Sequence, residues 1–78
     1  SLTMSYSDFP AAKIINDTDA HTGRFGKIAA LQDSVIATLV SENITGDLTS
    51  LQFKSTAEIE GVITSITLTS GTVIAYSL

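Results

Sequence analysis

The feature that most constrains the fold of this chain is a repeat in its last third. Residues 48–61 read Leu-Thr-Ser-Leu-Gln-Phe-Lys-Ser-Thr-Ala-Glu-Ile-Glu-Gly, and residues 63–76 read Ile-Thr-Ser-Ile-Thr-Leu-Thr-Ser-Gly-Thr-Val-Ile-Ala-Tyr. Each copy contains an aliphatic-Thr-Ser start, an alternating strand, a turn of small residues and a second β-branched strand. The repeat predicts an all-β chain, either a small β-sandwich or roll or a short β-solenoid-like domain.

Within the second copy, the apolar positions change parity. Ile63 and Ile66 lie three residues apart, and strand side chains alternate between the two faces with a period of two. The core-facing side must therefore switch near Thr64-Ser65, which predicts a bulge or corner. A second switch is expected at Ser70-Gly71, where glycine can adopt a positive φ.

The same alternation predicts which side chains form the core. Apolar positions that share a face with their strand neighbours are expected to be buried, and the polar positions between them are expected to be exposed. The predicted buried residues are Val35, Leu39, Ile59, Ile63, Ile66, Leu68 and Val73. The predicted exposed residues are Glu58, Glu60 and Thr67.

Residues 27–41 allow two interpretations. Ile28, Leu31, Val35 and Leu39 have the spacing of one apolar stripe on a helix. The segment is also rich in β-branched residues, and Asp33-Ser34 is a turn dipeptide between two runs of strand length. We predict two strands because Ser-Val-Ile-Ala here resembles Thr-Val-Ile-Ala in the repeat.

The chain before this segment is polar and rich in turn residues. Residues 1–3, ahead of Met4, are typical of a cloning remnant. We interpret residues 4–26 as an extended N-terminal arm anchored by Tyr6 and Phe9, with a partly disordered terminus as the alternative. Residues 27–78 are then the β domain.

Size and composition favour self-association. A chain of 78 residues buries only about 60% of the surface that its unfolded form exposes. It contains no cysteine, and 44% of its residues are hydrophobic against 15% charged, so another subunit is the expected source of further burial. The predicted state is a homo-oligomer, with a trimer favoured over a dimer.

Charge and hydropathy argue against two classes of partner. Four basic residues against eight acidic ones give a net charge of −4, and the basic residues form no cluster that would attract nucleic acid. No run approaches the ~18 apolar residues of a membrane span. We therefore expect neither nucleic acid nor a membrane as partner.

The segment Asp17-Thr-Asp-Ala-His21 contains the only candidate metal ligands. In an extended backbone Asp17, Asp19 and His21 would point the same way and could share one cation. Neither a twelve-residue calcium loop nor a His-x-x-x-His spacing is present. We interpret the segment as a polar turn with Asx hydrogen bonds and predict no metal and no cofactor.

No catalytic arrangement is visible in the sequence, and we predict that the protein is not an enzyme. His21 is the sole histidine, and no nucleophile elbow or cysteine accompanies it. Glu58 and Glu60 share one strand face about 7 Å apart, a spacing compatible with acid–base chemistry, but a solvated face is the interpretation that we adopt. The scattered threonines are explained by β-propensity.

Residues 20–76 resemble short β-rich virion proteins of tailed bacteriophages and prophages. The similarity lies in the run Ala-His-Thr-Gly-Arg-Phe-Gly-Lys-Ile-Ala-Ala-Leu-Gln-Asp-Ser-Val-Ile-Ala, the Thr45-Gly46 linker, the Thr-Ser-Ile strand start and the C-terminal Ser-Gly-Thr-Val-Ile-Ala-Tyr. The chain departs from that pattern at residues 53–57, where a Pro-Ala-Gly turn is more usual.

This resemblance implies a function without transferring any active-site residue. It implies a capsid decoration, cement or spike-base protein that self-associates, docks on a capsid or other virion protein, and is made in the bacterial cytoplasm before it joins the virion. The alternative is a small β module that binds a carbohydrate or a divalent cation, using the threonine faces or the segment from Asp17 to His21.

Overall fold

A computed structural model describes residues 9–78 of the protein. In this part of the chain all regular structure is β, and the all-β prediction is confirmed. Six strands follow one another: β1 (Ala11–Ile15), β2 (His21–Ala30), β3 (Ser34–Ser41), β4 (Thr49–Phe53), β5 (Glu58–Ser70) and β6 (Val73–Ser77). Residues 28–41 therefore contain two strands around a turn, as predicted, and the helical interpretation is excluded.

The strands form one sheet in the order β1-β6-β2-β5-β3-β4, and all neighbours are antiparallel. The two strands of each repeat copy are not neighbours, because β3 lies between β4 and β5 and β2 lies between β5 and β6. A solenoid would stack its rungs in parallel. The architecture is thus a small roll, one of the predicted alternatives.

The sheet is strongly curved because β5 bends back on itself. A straight strand of 13 residues would span about 40 Å. Ala57 precedes β5 and Thr72 follows it, yet their carbonyls accept hydrogen bonds from the adjacent amides of Ala30 (2.9 Å) and Leu31 (3.0 Å). The two ends of β5 therefore lie close together. The sheet therefore wraps around a single core.

The predicted change of side near Thr64-Ser65 is confirmed as a bulge. Against β3, Ser65 pairs with Val40 and Ile63 pairs with Ser41, which leaves Thr64 as an extra residue. Both Ile63 and Ile66 are consequently fully buried. Gly71 forms the second predicted corner, with φ +95°.

The core draws side chains from all six strands. Five predicted core residues are buried, whereas Val35 and Ile59 are only half-buried, and that part of the prediction is wrong. Val35 lies between buried Ser34 and Ile36 and therefore points to the outer side of β3, while Ile59 packs at the margin of the core near the start of β5. Glu58 and Glu60 are exposed as predicted, but Thr67 is half-buried. The buried hydrophobic residues are Ile15, Phe25, Ile28, Ala30, Ile36, Leu39, Phe53, Ile63, Ile66, Leu68, Val73 and Ala75.

For residues 9–26, the described part of the segment 4–26, the structure corrects the interpretation as an arm. β1 pairs with β6 along its whole length, Ile15 is 0% exposed, and β2 begins at His21. β1 is a short edge strand with only one buried side chain, so its sequence shows little alternation of apolar and polar residues. The predicted domain boundary between residues 26 and 27 falls inside β2. Phe9 contacts Tyr76 of its own domain, while Tyr6 lies outside the described residues.

Candidate association surface

The structure brings together two of the three candidate metal ligands. Asp17 and His21 flank the turn between β1 and β2, and His21 Nε2 lies 2.7 Å from Asp17 Oδ1. The same oxygen accepts the backbone N–H of Asp19 at 3.1 Å, which is the predicted Asx hydrogen bond. The extended backbone assumed for convergence is therefore absent, because the segment is a bend.

The electrostatics of this turn are dominated by the pair Asp17–His21. The pKa of the Asp17 carboxyl lies below its ordinary value, first because of the His21 hydrogen bond and then because of the Asp19 amide. Within residues 9–78, no group of three His, Asp or Glu side chains is placed to hold a metal ion. The arrangement stabilises a turn.

Glu58 and Glu60 lie on the outer side of β5, opposite Ala29 and Lys27 of β2. Lys27 Nζ lies 3.2 Å from Glu58 Oε2 and 5.7 Å from the centre of the Tyr76 ring. These carboxylates therefore border a basic and aromatic group on the sheet surface.

Three threonines form a row across the other half of the sheet. Thr38 is the cross-strand partner of both Thr49 and Thr67, so their side chains share one face at the strand spacing of about 4.8 Å. Thr49 Oγ1 already donates to Asp47 Oδ1 at 2.6 Å. The row is a polar, accessible surface.

The most unusual surface is the outer face of β1, β6 and β2. Two cross-strand rows cover it, Ile14–Ile74–Ala29 and Ala12–Tyr76–Lys27. Ile14 is 53% exposed, although it lies within a regular strand pair. We call these six residues the outer patch.

Two further apolar side chains extend the outer patch at one end. The rings of Phe9 and Tyr76 lie 5.5 Å apart at an angle of 39°. A Cβ at Gly26 would lie 2.7 Å from atoms of both Phe9 and Leu78, so glycine lets these side chains cover the bulge in β2. Leu78 itself is exposed.

Both edges of the sheet are poorly suited to strand addition. Lys13 lies in the middle of edge strand β1, and its exposed side chain places a charge at that edge. A lysine on an edge strand discourages the addition of a further strand. On edge strand β4, Ser50 has φ +53°, which interrupts the regular strand conformation. The outer patch, on the face of β1, β6 and β2, is therefore the accessible apolar surface.

This surface is absent from the sequence-based predictions, although the sequence contains a signal for it. In the strand Val73–Ser77, the inward residues Val73 and Ala75 alternate with Ile74 and Tyr76, so both sides are apolar. A strand that is apolar on both sides is typical of one covered on both sides. The positions of Ile14 and Ala12 become visible only once β1 is placed beside β6.

The functional conclusion rests on the fold and its surfaces, because comparisons with known proteins gave no match. No family model matches the chain, and neither the curated proteins nor the solved structures contain a significant match. The described part of the chain also has no helix that is long and apolar enough to span a membrane.

Proposed function

We propose that this chain is a non-catalytic structural protein that self-associates through the outer patch. The observation that carries the proposal is the exposure of Ile14 beside Ile74 and Tyr76 on a regular sheet face. Apolar surface removed from water contributes about 25 cal/mol per Å². A chain of 78 residues, with a small core, gains from covering such a surface.

The proposed setting is a larger particle to which the associated chains dock. The sequence resemblance supports a phage or prophage virion, with this chain as a capsid decoration, cement or spike-base protein. The genes beside its own test this setting directly: neighbouring capsid or tail genes are expected, and a transport or sugar operon would contradict it.

Self-association is tested by placing a charge in the outer patch. Ile14→Lys should turn the oligomer into a monomer, because a lysine there would be buried without a partner charge. Val40→Lys is the matched control: Val40 is also β-branched, lies on a strand, and is 48% exposed outside the outer patch.

Sedimentation velocity at tens of micromolar measures both variants against the wild type. The proposal predicts an oligomeric wild type, an oligomeric Val40→Lys and a monomeric Ile14→Lys. If Ile14→Lys sediments like the wild type, or if Val40→Lys dissociates equally, the outer patch is not the association surface.

The row Thr49–Thr38–Thr67 favours a second candidate function, binding of a neutral carbohydrate. Aligned hydroxyls at a fixed spacing can donate to and accept from sugar hydroxyls. An NMR titration with neutral oligosaccharides should then shift the amides of these three residues, and Thr38→Val should abolish the shifts. Unchanged spectra at millimolar sugar would contradict this candidate.

A further inference from the structure

We propose that two copies pack outer patch against outer patch, about a two-fold axis that passes near β6, and not edge to edge. This inference rests on the proposed self-association and names its geometry, a two-fold pair in place of the trimer expected from size and composition. A sheet face that packs on an identical face forms a self-complementary, two-fold interface.

The shape of the outer patch supports packing against the same surface of a second copy. In one row Ala29 lies beside Ile74, and in the other Ala12 lies beside Tyr76. A small residue beside a large one on neighbouring strands gives a surface of hollows and projections. Two such surfaces can interdigitate when one is turned over onto the other.

The charge distribution supports the same packing. Two chains of net charge −4 repel each other, and the repulsion is smallest where the facing surfaces are neutral. β6 contains no Asp, Glu, Lys or Arg. Lys27 is paired with Glu58 of its own chain at 3.2 Å, so the outer patch has no free basic charge, and the carboxylates of Glu58 and Glu60 lie at its border on β5.

Face-to-face and edge-to-edge packing differ in the separation of the two β6 strands. If two β1 edges paired, each β6 would be separated from the other by three strand spacings, or about 14 Å. A disulfide requires a Cα–Cα distance of about 4.4–6.8 Å. Stacked sheets lie about 10 Å apart, so facing cysteines on β6 exceed the disulfide distance, but their side chains point toward each other and a short thiol-to-thiol cross-linker can bridge them. The same cross-linker cannot reach between β6 strands that are separated by two paired edges.

The chain contains no cysteine, so single-cysteine variants give an unambiguous answer. Ile74→Cys and Tyr76→Cys sample the two rows, and either one serves if the other fails to fold. Lys13→Cys reports edge pairing, and Val40→Cys reports random collision. Each variant is treated with the short thiol-to-thiol cross-linker at tens of micromolar and analysed by denaturing electrophoresis.

The proposal predicts covalent dimers for Ile74→Cys or Tyr76→Cys, formed at least about tenfold faster than for Val40→Cys, because association raises the effective concentration of the thiols. An associated protein in which only Lys13→Cys cross-links, or in which no variant does, would overturn face-to-face packing while leaving self-association intact. A three-fold assembly without covalent dimers would also overturn it. A monomeric wild type would refute the proposed function itself.

Discussion

Thr56 and Gly71 lie at equivalent positions of the internal repeat, and both have a left-handed backbone, with φ of 71° and 95°. Their successors are also equivalent: the carbonyls of Ala57 and Thr72 accept the consecutive amides of Ala30 and Leu31. The two turns of the repeat thus close on the same point of β2. Only the second has the residue type that this backbone favours.

We expect Thr56→Gly to stabilise the protein. A β-branched residue with positive φ is strained by roughly 1–2 kcal/mol, and the extra unfolded-state entropy of glycine offsets part of that relief. The expected gain is about 0.5–1 kcal/mol in the free energy of unfolding, measured by urea denaturation. Ser55→Gly, in the same turn but without positive φ, should lower stability. A loss in both variants would contradict the strain at Thr56.

Gly71→Val should have the opposite effect. Valine at positive φ is strained by at least about 1–2 kcal/mol, and a Cβ there would also lie 2.6 Å from the Cα of Ser34. The melting temperature should therefore fall clearly. An unchanged melt would show that the backbone at Gly71 is not left-handed.

The core predicts a contrast between two neighbours on β5. Ile66 is fully buried, so Ile66→Ala should reduce the free energy of unfolding by about 2–5 kcal/mol. Thr67 points to the outer side and is half-buried, so Thr67→Ala should change it by only about 0.5 kcal/mol. Denaturant unfolding measures both. A reversed order would mean that the assigned faces of β5 are exchanged.

The pair Asp17–His21 predicts a specific dependence on pH. The folded pKa of Asp17 lies below its ordinary value of 3.8, chiefly because of the His21 hydrogen bond. Its contribution to stability is therefore complete above the unfolded pKa and is lost as pH falls through the lower folded value. NMR titration of the Asp17 carboxyl should show its pKa rising in His21→Ala.

Thr49→Ala provides the matched control for that titration. The pKa of Asp47 is lowered first by the Thr49 side chain and then by the Thr49 amide. This variant should raise the pKa of Asp47 and leave that of Asp17 unchanged. A shift at Asp17 in both variants would point to a general loosening of the fold.

The repeat made much of the fold predictable from the sequence. The parity change between Ile63 and Ile66 identified the bulge in β5, and Gly71 identified a turn with positive φ. These are local signals, because period and turn chemistry depend on neighbouring residues. The interpretation of residues 4–26 failed because β1 is defined by its pairing with β6, whose partner residues lie some sixty positions away.

The candidate site was less predictable than the fold. The Asx hydrogen bond at Asp17 followed from local sequence, whereas the outer patch unites Ile14, Lys27 and Tyr76 from three strands. The order β1-β6-β2 depends on pairings between residues that are far apart in the sequence, which no short pattern encodes. Only the two-sided apolar character of β6 indicated that its outer side is a surface to be covered.

The mass of the wild-type protein in solution tests the central claim, self-association, most directly. Light scattering across a dilution series from tens of micromolar downward should give an integral multiple of the single-chain mass at the highest concentration, decreasing as the chains dissociate. A single-chain mass at every concentration would contradict the account.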